Sequence, residues 1–170
     1  TNFDGGAFDG RHIYFVPLSN GSVMRYDTRA DFADTQSWQY FDIGGFKKDG
    51  WYVGAVFDGR FLYFVPYAHS TIVRYDTEGD FEDRHNWYSF EVSDTAGLDT
   101  SGFDGATYDG RHIYFIPWTR PDGRHHCNFL RYDTLGDFDD PAAWTACDAS
   151  CASGIDTIGY NGGTFDGRFI

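Results

Sequence analysis

The sequence predicts an all-β repeat array of four-stranded antiparallel sheets, and three observations carry that reading. The phrase FDGRHIYFVP (8–17) returns as FDGRFLYFVP (57–66) and YDGRHIYFIP (108–117), and starts again as FDGRFI (165–170). Its aspartates, Asp9, Asp58, Asp109 and Asp166, stand 49, 51 and 57 residues apart, and a second phrase keeps step: RYDTRADFADTQSW (25–38), RYDTEGDFEDRHNW (74–87) and RYDTLGDFDDPAAW (131–144). Periods of this size mark a repeat array. The acids are nearly all Asp, with Glu78, Glu82 and Glu91 as the only glutamates. Asp favours turns where Glu favours helix, so the units are rich in turns and poor in helix.

Each unit reads as four short strands. The first, for example GAVF (54–57), meets the second through an Asp-Gly pair flanked by apolar residues, the signature of a hairpin whose type I′ turn has positive φ at both central residues. In the second strand Ile13 and Phe15 alternate with Tyr14 and Val16, so both faces are apolar and both must be covered. A third strand such as TIVRYD (71–76) follows, then an acidic connector with room for a single helical turn, then a fourth strand opened by Trp38, Trp87 or Trp144. Four-stranded sheets covered on both sides by their neighbours describe the blades of a β-propeller. A two-layer sandwich is the competing architecture, but it expects polar outer faces and leaves the period unexplained.

Residues 1–170 thus form a single array, with blade 1 at 3–50, blade 2 at 51–101, blade 3 at 102–158 and the start of a fourth at 159–170. Three units and a fraction do not close a ring. The expectation is a longer chain of about five to seven blades, or closure by several copies as a homo-oligomer. In these features the chain resembles β-propeller proteins with blades of roughly 50 residues, among them Kelch-like, tachylectin-like and sialidase-like repeats. The segment YDTxGDFxDxxxW is similar in position to the Asp-box of sialidase-type propellers. It departs from that motif's Ser-x-Asp-x-Gly-x-Thr-Trp pattern, so no catalytic residue carries over. The resemblance to lectin-like propellers implies a carbohydrate ligand.

Composition narrows the function. The chain is 41% hydrophobic and 20% aromatic, which a folded core requires, and carries 13 basic against 26 acidic residues for a net charge of −13. Lys47 and Lys48 are its only lysines, so no basic patch is available for nucleic acid. The longest apolar runs, such as 13–18, are far short of the roughly 20 residues of a membrane span. Cys127, Cys147 and Cys151 fall in one unit and favour an oxidising compartment, hence a secreted or cell-surface protein.

Candidate sites divide by face. The Asp-Gly-Arg turns and the acidic connectors share one face and scarcely vary between units. Asp27, Asp76, Asp133, Asp31, Asp80 and Asp137 read as turn and capping groups, with calcium as the competing reading. Arg11, Arg60 and Arg111, with Arg25, Arg74 and Arg131, read as ion-pair partners of these acids. The opposite face carries the loops that differ, where recognition usually sits. There Trp51, Tyr52, Tyr67, Trp118, Arg120 and Tyr160 are candidates to stack on and hydrogen-bond a sugar. The cluster His125, His126, Cys127 with Cys147, Cys151 and Asp148 reads as a disulfide from Cys127 to Cys147 or Cys151, with a zinc site as the alternative. No Gly-x-Ser-x-Gly, His-Glu-x-x-His or phosphate loop is present, so the leading reading is a non-catalytic carbohydrate- or protein-binding module. A fragment of a propeller glycoside hydrolase and a structural assembly protein are the alternatives.

Overall fold

The computed structural model describes residues 3–46, 51–150, 152–155 and 157–170. The chain forms three four-stranded antiparallel meanders. They are β1 (Phe3–Phe8), β2 (His12–Pro17), β3 (Ser22–Asp27) and β4 (Trp38–Asp42); β5 (Tyr52–Phe57), β6 (Phe61–Pro66), β7 (Thr71–Asp76) and β8 (Trp87–Glu91); and, after a short hairpin of β9 (Asp94–Thr95) and β10 (Leu98–Asp99), β11 (Phe103–Tyr108), β12 (His112–Pro117), β13 (Asn128–Asp133) and β14 (Trp144–Asp148). This is a β-propeller array of four-stranded blades. The connectors each hold one turn of 3-10 helix, at Thr35–Ser37, Arg84–Asn86 and Pro141–Ala143.

The first strands β1, β5 and β11 lie side by side at the hub. Their approach is closest at glycines: a Cβ on Gly5 would stand 2.9 Å from the Gly54 Cα, and Gly5 also has a φ of +72°, so a side chain is excluded twice over. The ladder between β1 and β2 shifts register at this point, between Phe3 and Gly6, and β5 and β11 repeat the irregularity.

The core lies between blades, as the two apolar faces of the second strand require. In β6, Leu62 and Phe64 point into a cluster with Tyr14, Val16 and Trp87 at the seam of blades 1 and 2, while Tyr63 and Val65 point into a cluster with Phe115, Tyr132 and Trp144 at the seam of blades 2 and 3. One strand thereby serves two cores. That arrangement rules out a sandwich, whose sheets have one inner face each.

The hairpin turn corrects one expectation. In the Asp-Gly-Arg phrase only the glycine takes positive φ (+98°, +107° and +99° at Gly10, Gly59 and Gly110), so the turn centres on Gly-Arg with the pattern of type II′ rather than I′. The aspartate instead clamps the turn. Asp58 Oδ1 accepts from the backbone N–H of Arg60 (2.9 Å) and Phe61 (2.7 Å), and its Oδ2 accepts from the Tyr63 hydroxyl (2.8 Å). Asp9 and Asp109 repeat these bonds with Tyr14 and Tyr114. Burial pushes the Asp9 carboxyl up, but the donors from His12, Tyr14 and Arg11 outweigh it and hold it below the usual carboxylate range. A type I′ geometry does occur, at Ala96 (φ +56°) and Gly97 (φ +79°) between β9 and β10.

Almost every residue of the second phrase is spent on the blade. Arg11, Arg60 and Arg111 fork onto Asp27, Asp76 and Asp133 with Nη2 to Oδ2 distances of 2.6, 2.7 and 2.7 Å. The same aspartates accept from the N–H two residues on, at Arg29, Glu78 and Leu135. Thr28, Thr77 and Thr134 donate to the carbonyls of the turn arginines, and Trp38, Trp87 and Trp144 donate from Nε1 to the carbonyls of Phe32, Phe81 and Phe138. Asp34, Asp83 and Asp140 cap the 3-10 turns.

Replacing Asp58 by alanine strands two backbone donors and a buried tyrosine hydroxyl, and is expected to lower stability by about 3 kcal/mol. Arg60→Ala removes an ion pair whose guanidinium is exposed, with its contact on the Phe61 ring, and should shift the urea midpoint far less. Equal shifts for the two variants would mean that the ion pair, not the clamped turn, holds the hairpin.

Candidate functional site

The two faces of the array differ in what their side chains have left to offer. On the turn face the carboxylates are occupied as described: the Arg11 and Arg111 guanidiniums, helped by turn N–H groups, hold Asp27 and Asp133 at a pKa of about 2. Among the described residues no three His, Cys, Asp or Glu side chains converge as a metal shell. The loop face is organised differently, around two histidines.

His69 and His126 hold equivalent positions after the second strands of blades 2 and 3. His69 Nε2 lies 2.9 Å from the Trp51 carbonyl and its Nδ1 accepts from the Thr71 N–H (3.2 Å). His126 Nε2 lies 2.8 Å from the Gly102 carbonyl and its Nδ1 accepts from the Asn128 N–H (3.3 Å). A carbonyl can only accept, so Nε2 carries the hydrogen and the His126 ring is neutral, with both nitrogens in use. Burial accordingly pushes its pKa below the ordinary value. Blade 1 fills the same position with Asn20, whose Oδ1 accepts from the Ser22 N–H. The backbone continues the stitching: Gly102 N–H donates to His69 O, Trp118 N–H to Gly102 O, Gly159 N–H to His126 O and Tyr160 N–H to Pro117 O.

On this frame the candidate residues separate into three groups. Tyr52 is a core residue, 1% exposed, with its hydroxyl donating to Thr71 O (3.1 Å) and its ring against His69; it offers no surface to a ligand. Trp51 and Tyr67 sit together at the end of blade 2, where Tyr67 N–H donates to Trp51 O; the Trp51 ring is exposed, while Tyr67 is half-buried against the seam of blades 2 and 3. Trp118, Arg120 and Tyr160 gather at the end of blade 3. There the Trp118 ring stands 4.5 Å from His125, Arg120 Nε lies 3.3 Å from Asp99 Oδ2, and Tyr160 packs on Phe129. Thr119 pairs across the loop with His125.

His125, read from sequence only as a minor metal ligand, is instead the exposed neighbour of Trp118, and Asp99, the counter-charge of Arg120, was not foreseen. Asp99 reaches the site because Asp94–Asp99 folds as a hairpin through Ala96-Gly97, a pair that carries no strong turn signal. Cys127 is buried with its thiol 3.9 Å from the Tyr160 hydroxyl, and Cys147 is exposed on β14. The two are not bonded to each other, so the expected Cys127–Cys147 bridge is not formed. Cys151 lies outside the described residues, and with it the Cys127–Cys151 alternative.

The fold and the stitched loop face define a β-propeller array with one elaborated end. Comparison with protein families and with curated proteins finds no match. Among solved structures the chain is similar to a streptogramin B lyase, at 14% identity and a TM-score of 0.56 over 86% of this chain and 40% of that one. It is similar also to a catalytically inactive virginiamycin B lyase from Staphylococcus aureus solved with quinupristin (16% identity, TM-score 0.56, 86% and 41% covered) and to a selenomethionine form of that lyase (15% identity, TM-score 0.52, 85% and 40% covered). The chain spans about two fifths of the length of these structures, and at such identities the likeness is one of fold.

Because folding forces His126 neutral, its contribution to stability is complete above about pH 6.5, the unfolded value, and is lost as the pH falls towards the lowered native pKa. His126→Asn, which installs the residue used in blade 1, is expected to flatten the stability profile between about pH 7 and 5. Thermal melts across that range check it; a variant that tracks the parent would show that the ring does not titrate there.

Proposed function

We propose that the chain is a non-catalytic β-propeller recognition module, secreted or displayed at a cell surface, that binds carbohydrate through the loop face at the end of blade 3. One observation carries the reading. The 118–128 loop is long only in blade 3, and it brings Trp118, His125 and the Arg120–Asp99 pair to one end of a rigid frame, whereas the turn face is committed to its own hydrogen bonds. An aromatic ring beside a guanidinium and a carboxylate suits a pyranose, whose apolar face stacks while its hydroxyls bond to the charged groups. A protein ligand is the other occupant compatible with such a face. Calcium has no role in this reading.

A second reading, a fragment of a propeller glycosidase, has one observation in its favour. At the hub, burial and the Asp4 carboxylate raise the pKa of Asp104, which accepts a hydrogen bond from Asn161 (2.7 Å). A partly buried carboxyl held in its protonated form more readily than usual is the kind of group a hydrolase uses as its acid.

A glycan-array screen followed by titration calorimetry tests the first reading. At least one glycan is expected to bind, and Trp118→Ala to weaken it by about tenfold or more, the loss of one stacked ring. No binding to any glycan, or binding that ignores Trp118, would overturn it. Hydrolysis of chromogenic glycosides that disappears in Asp104→Asn would favour the second reading instead.

A further inference from the structure

The two seams between blades share one joint and differ in what surrounds it. In both, an arginine lies over a ring of the next blade, Arg25 over Phe81 and Arg74 over Phe138, each at 4.3 Å. In both, a phenylalanine of the fourth strand stacks on the next blade's tryptophan, Phe41 on Trp87 at 4.5 Å and Phe90 on Trp144 at 5.4 Å. The neighbours of the arginine are where the seams part. Arg74 is closed in by the rings of Phe61 (4.2 Å) and Tyr88 (5.0 Å), and its Nε is buried with no acceptor. At the same two register positions blade 1 has His12, opposite Asp27, and Gln39, opposite Arg25. There the space beside Arg25 is an open cleft of about 520 Å³, walled by blade 1 and by Thr77 and Gly79 of blade 2.

Hydrogen bonds already made inside the cleft fix what it presents. Arg25 Nε donates to Gln39 Oε1 (2.9 Å) and Nη1 to the Tyr75 hydroxyl (3.2 Å), with the Tyr14 hydroxyl also beside it. The guanidinium is thus held over Phe81, and Nη2 takes part in neither bond. Because Gln39 accepts through Oε1, its NH2 group is left over as a second donor. His12 Nδ1 lies 3.2 Å from the Asp9 carboxylate, which only accepts, so Nδ1 carries the hydrogen and the neutral ring keeps Nε2 as an acceptor. Arg11 lines the same cleft, but its fork is closed on Asp27 and that pair is neutral. Asp34 Oδ1 accepts from the Gln36 N–H (2.9 Å), which leaves Oδ2 as a further acceptor on the lining. The cleft therefore combines fixed donors around one cation with acceptors that suit hydroxyl groups.

We propose that this cleft binds a small hydroxy acid. The carboxylate accepts from Arg25 Nη2 and from the Gln39 amide, a charge-assisted contact on a fork already held in place, while hydroxyls of the same ligand donate to Asp34 Oδ2 and His12 Nε2. A dianion such as phosphate is disfavoured, since Asp27 and Asp34 line the same space. Blade 2 closes the corresponding space with two rings, so the site belongs to the first seam and not to the second. The inference is independent of the loop-face reading.

Titration calorimetry at low salt tests it, with gluconate as the probe and three comparisons: acetate, which lacks the hydroxyls, glycerol, which lacks the carboxylate, and inorganic phosphate. One gluconate per chain is expected, bound about tenfold or more tightly than any of the three. Gln39→Glu keeps an acceptor for Arg25 Nε but replaces the free donor by a carboxylate oxygen, and should weaken gluconate about tenfold or more. His12→Phe combined with Gln39→Tyr installs the pair that blade 2 uses and should abolish binding while the thermal melt stays cooperative. Trp118→Ala should leave gluconate binding unchanged. The proposal is overturned if gluconate does not bind, if it binds no more tightly than acetate, glycerol or phosphate, if Gln39→Glu binds as the parent does, or if Trp118→Ala removes the binding.

Discussion

The carboxylate of the Asp-Gly-Arg phrase is the constraint on which the blades depend. In three strokes it closes the hairpin between the first two strands, leaves the following arginine free to reach the third strand, and anchors a tyrosine hydroxyl in the seam with the next blade. The tyrosine shows the coupling most directly. Burial, with Asp58 beside it, drives the Tyr63 pKa far above its ordinary value, so the hydroxyl stays a donor while its ring packs on Tyr132 and Phe138 of blade 3. A local turn and a contact between blades are thus held by a single group. This explains why the phrase recurs as a block: Asp, Gly, Arg and the tyrosine five residues on each lose their purpose without the others.

The division of labour between the faces follows from the same economy. On the turn face, side chains and backbone close on one another within a blade, so the sequence there has little freedom. On the loop face the hydrogen bonds between blades run through backbone groups, and within each blade the residue at one position, His69, His126 or Asn20, need only accept one N–H. The remaining loop positions are released from structural duty. Blade 3 uses that release to insert a longer loop, braced by the Thr119–His125 bridge.

Architecture was legible in the sequence because its determinants are local and repeated. The period, the two apolar faces of the second strand and the tryptophan opening the fourth strand each describe a contact that every blade makes. The turn type was misread because Asp-Gly normally occupies the two central positions, whereas here the aspartate stands one place earlier and acts through its side chain. The candidate site was less legible. Tyr52 looks like Trp51 in sequence, yet the pleat sends one into the core and the other to solvent. Asp99 is brought to Arg120 by a hairpin whose turn, Ala96-Gly97, needs positive φ at an alanine, which nothing in the composition announces. His126 reads as a metal ligand until its two backbone partners are seen.

The stacking of Phe41 on Trp87 and of Phe90 on Trp144 has an evolutionary corollary. Blades 1 and 2 carry both halves of the joint, one on each side, so a duplicated segment of this length brings its own means of attachment and disturbs nothing already in place. The number of blades is then a matter of copying rather than of new invention, and mutation can work on the loops of each copy while the joints are inherited ready-made.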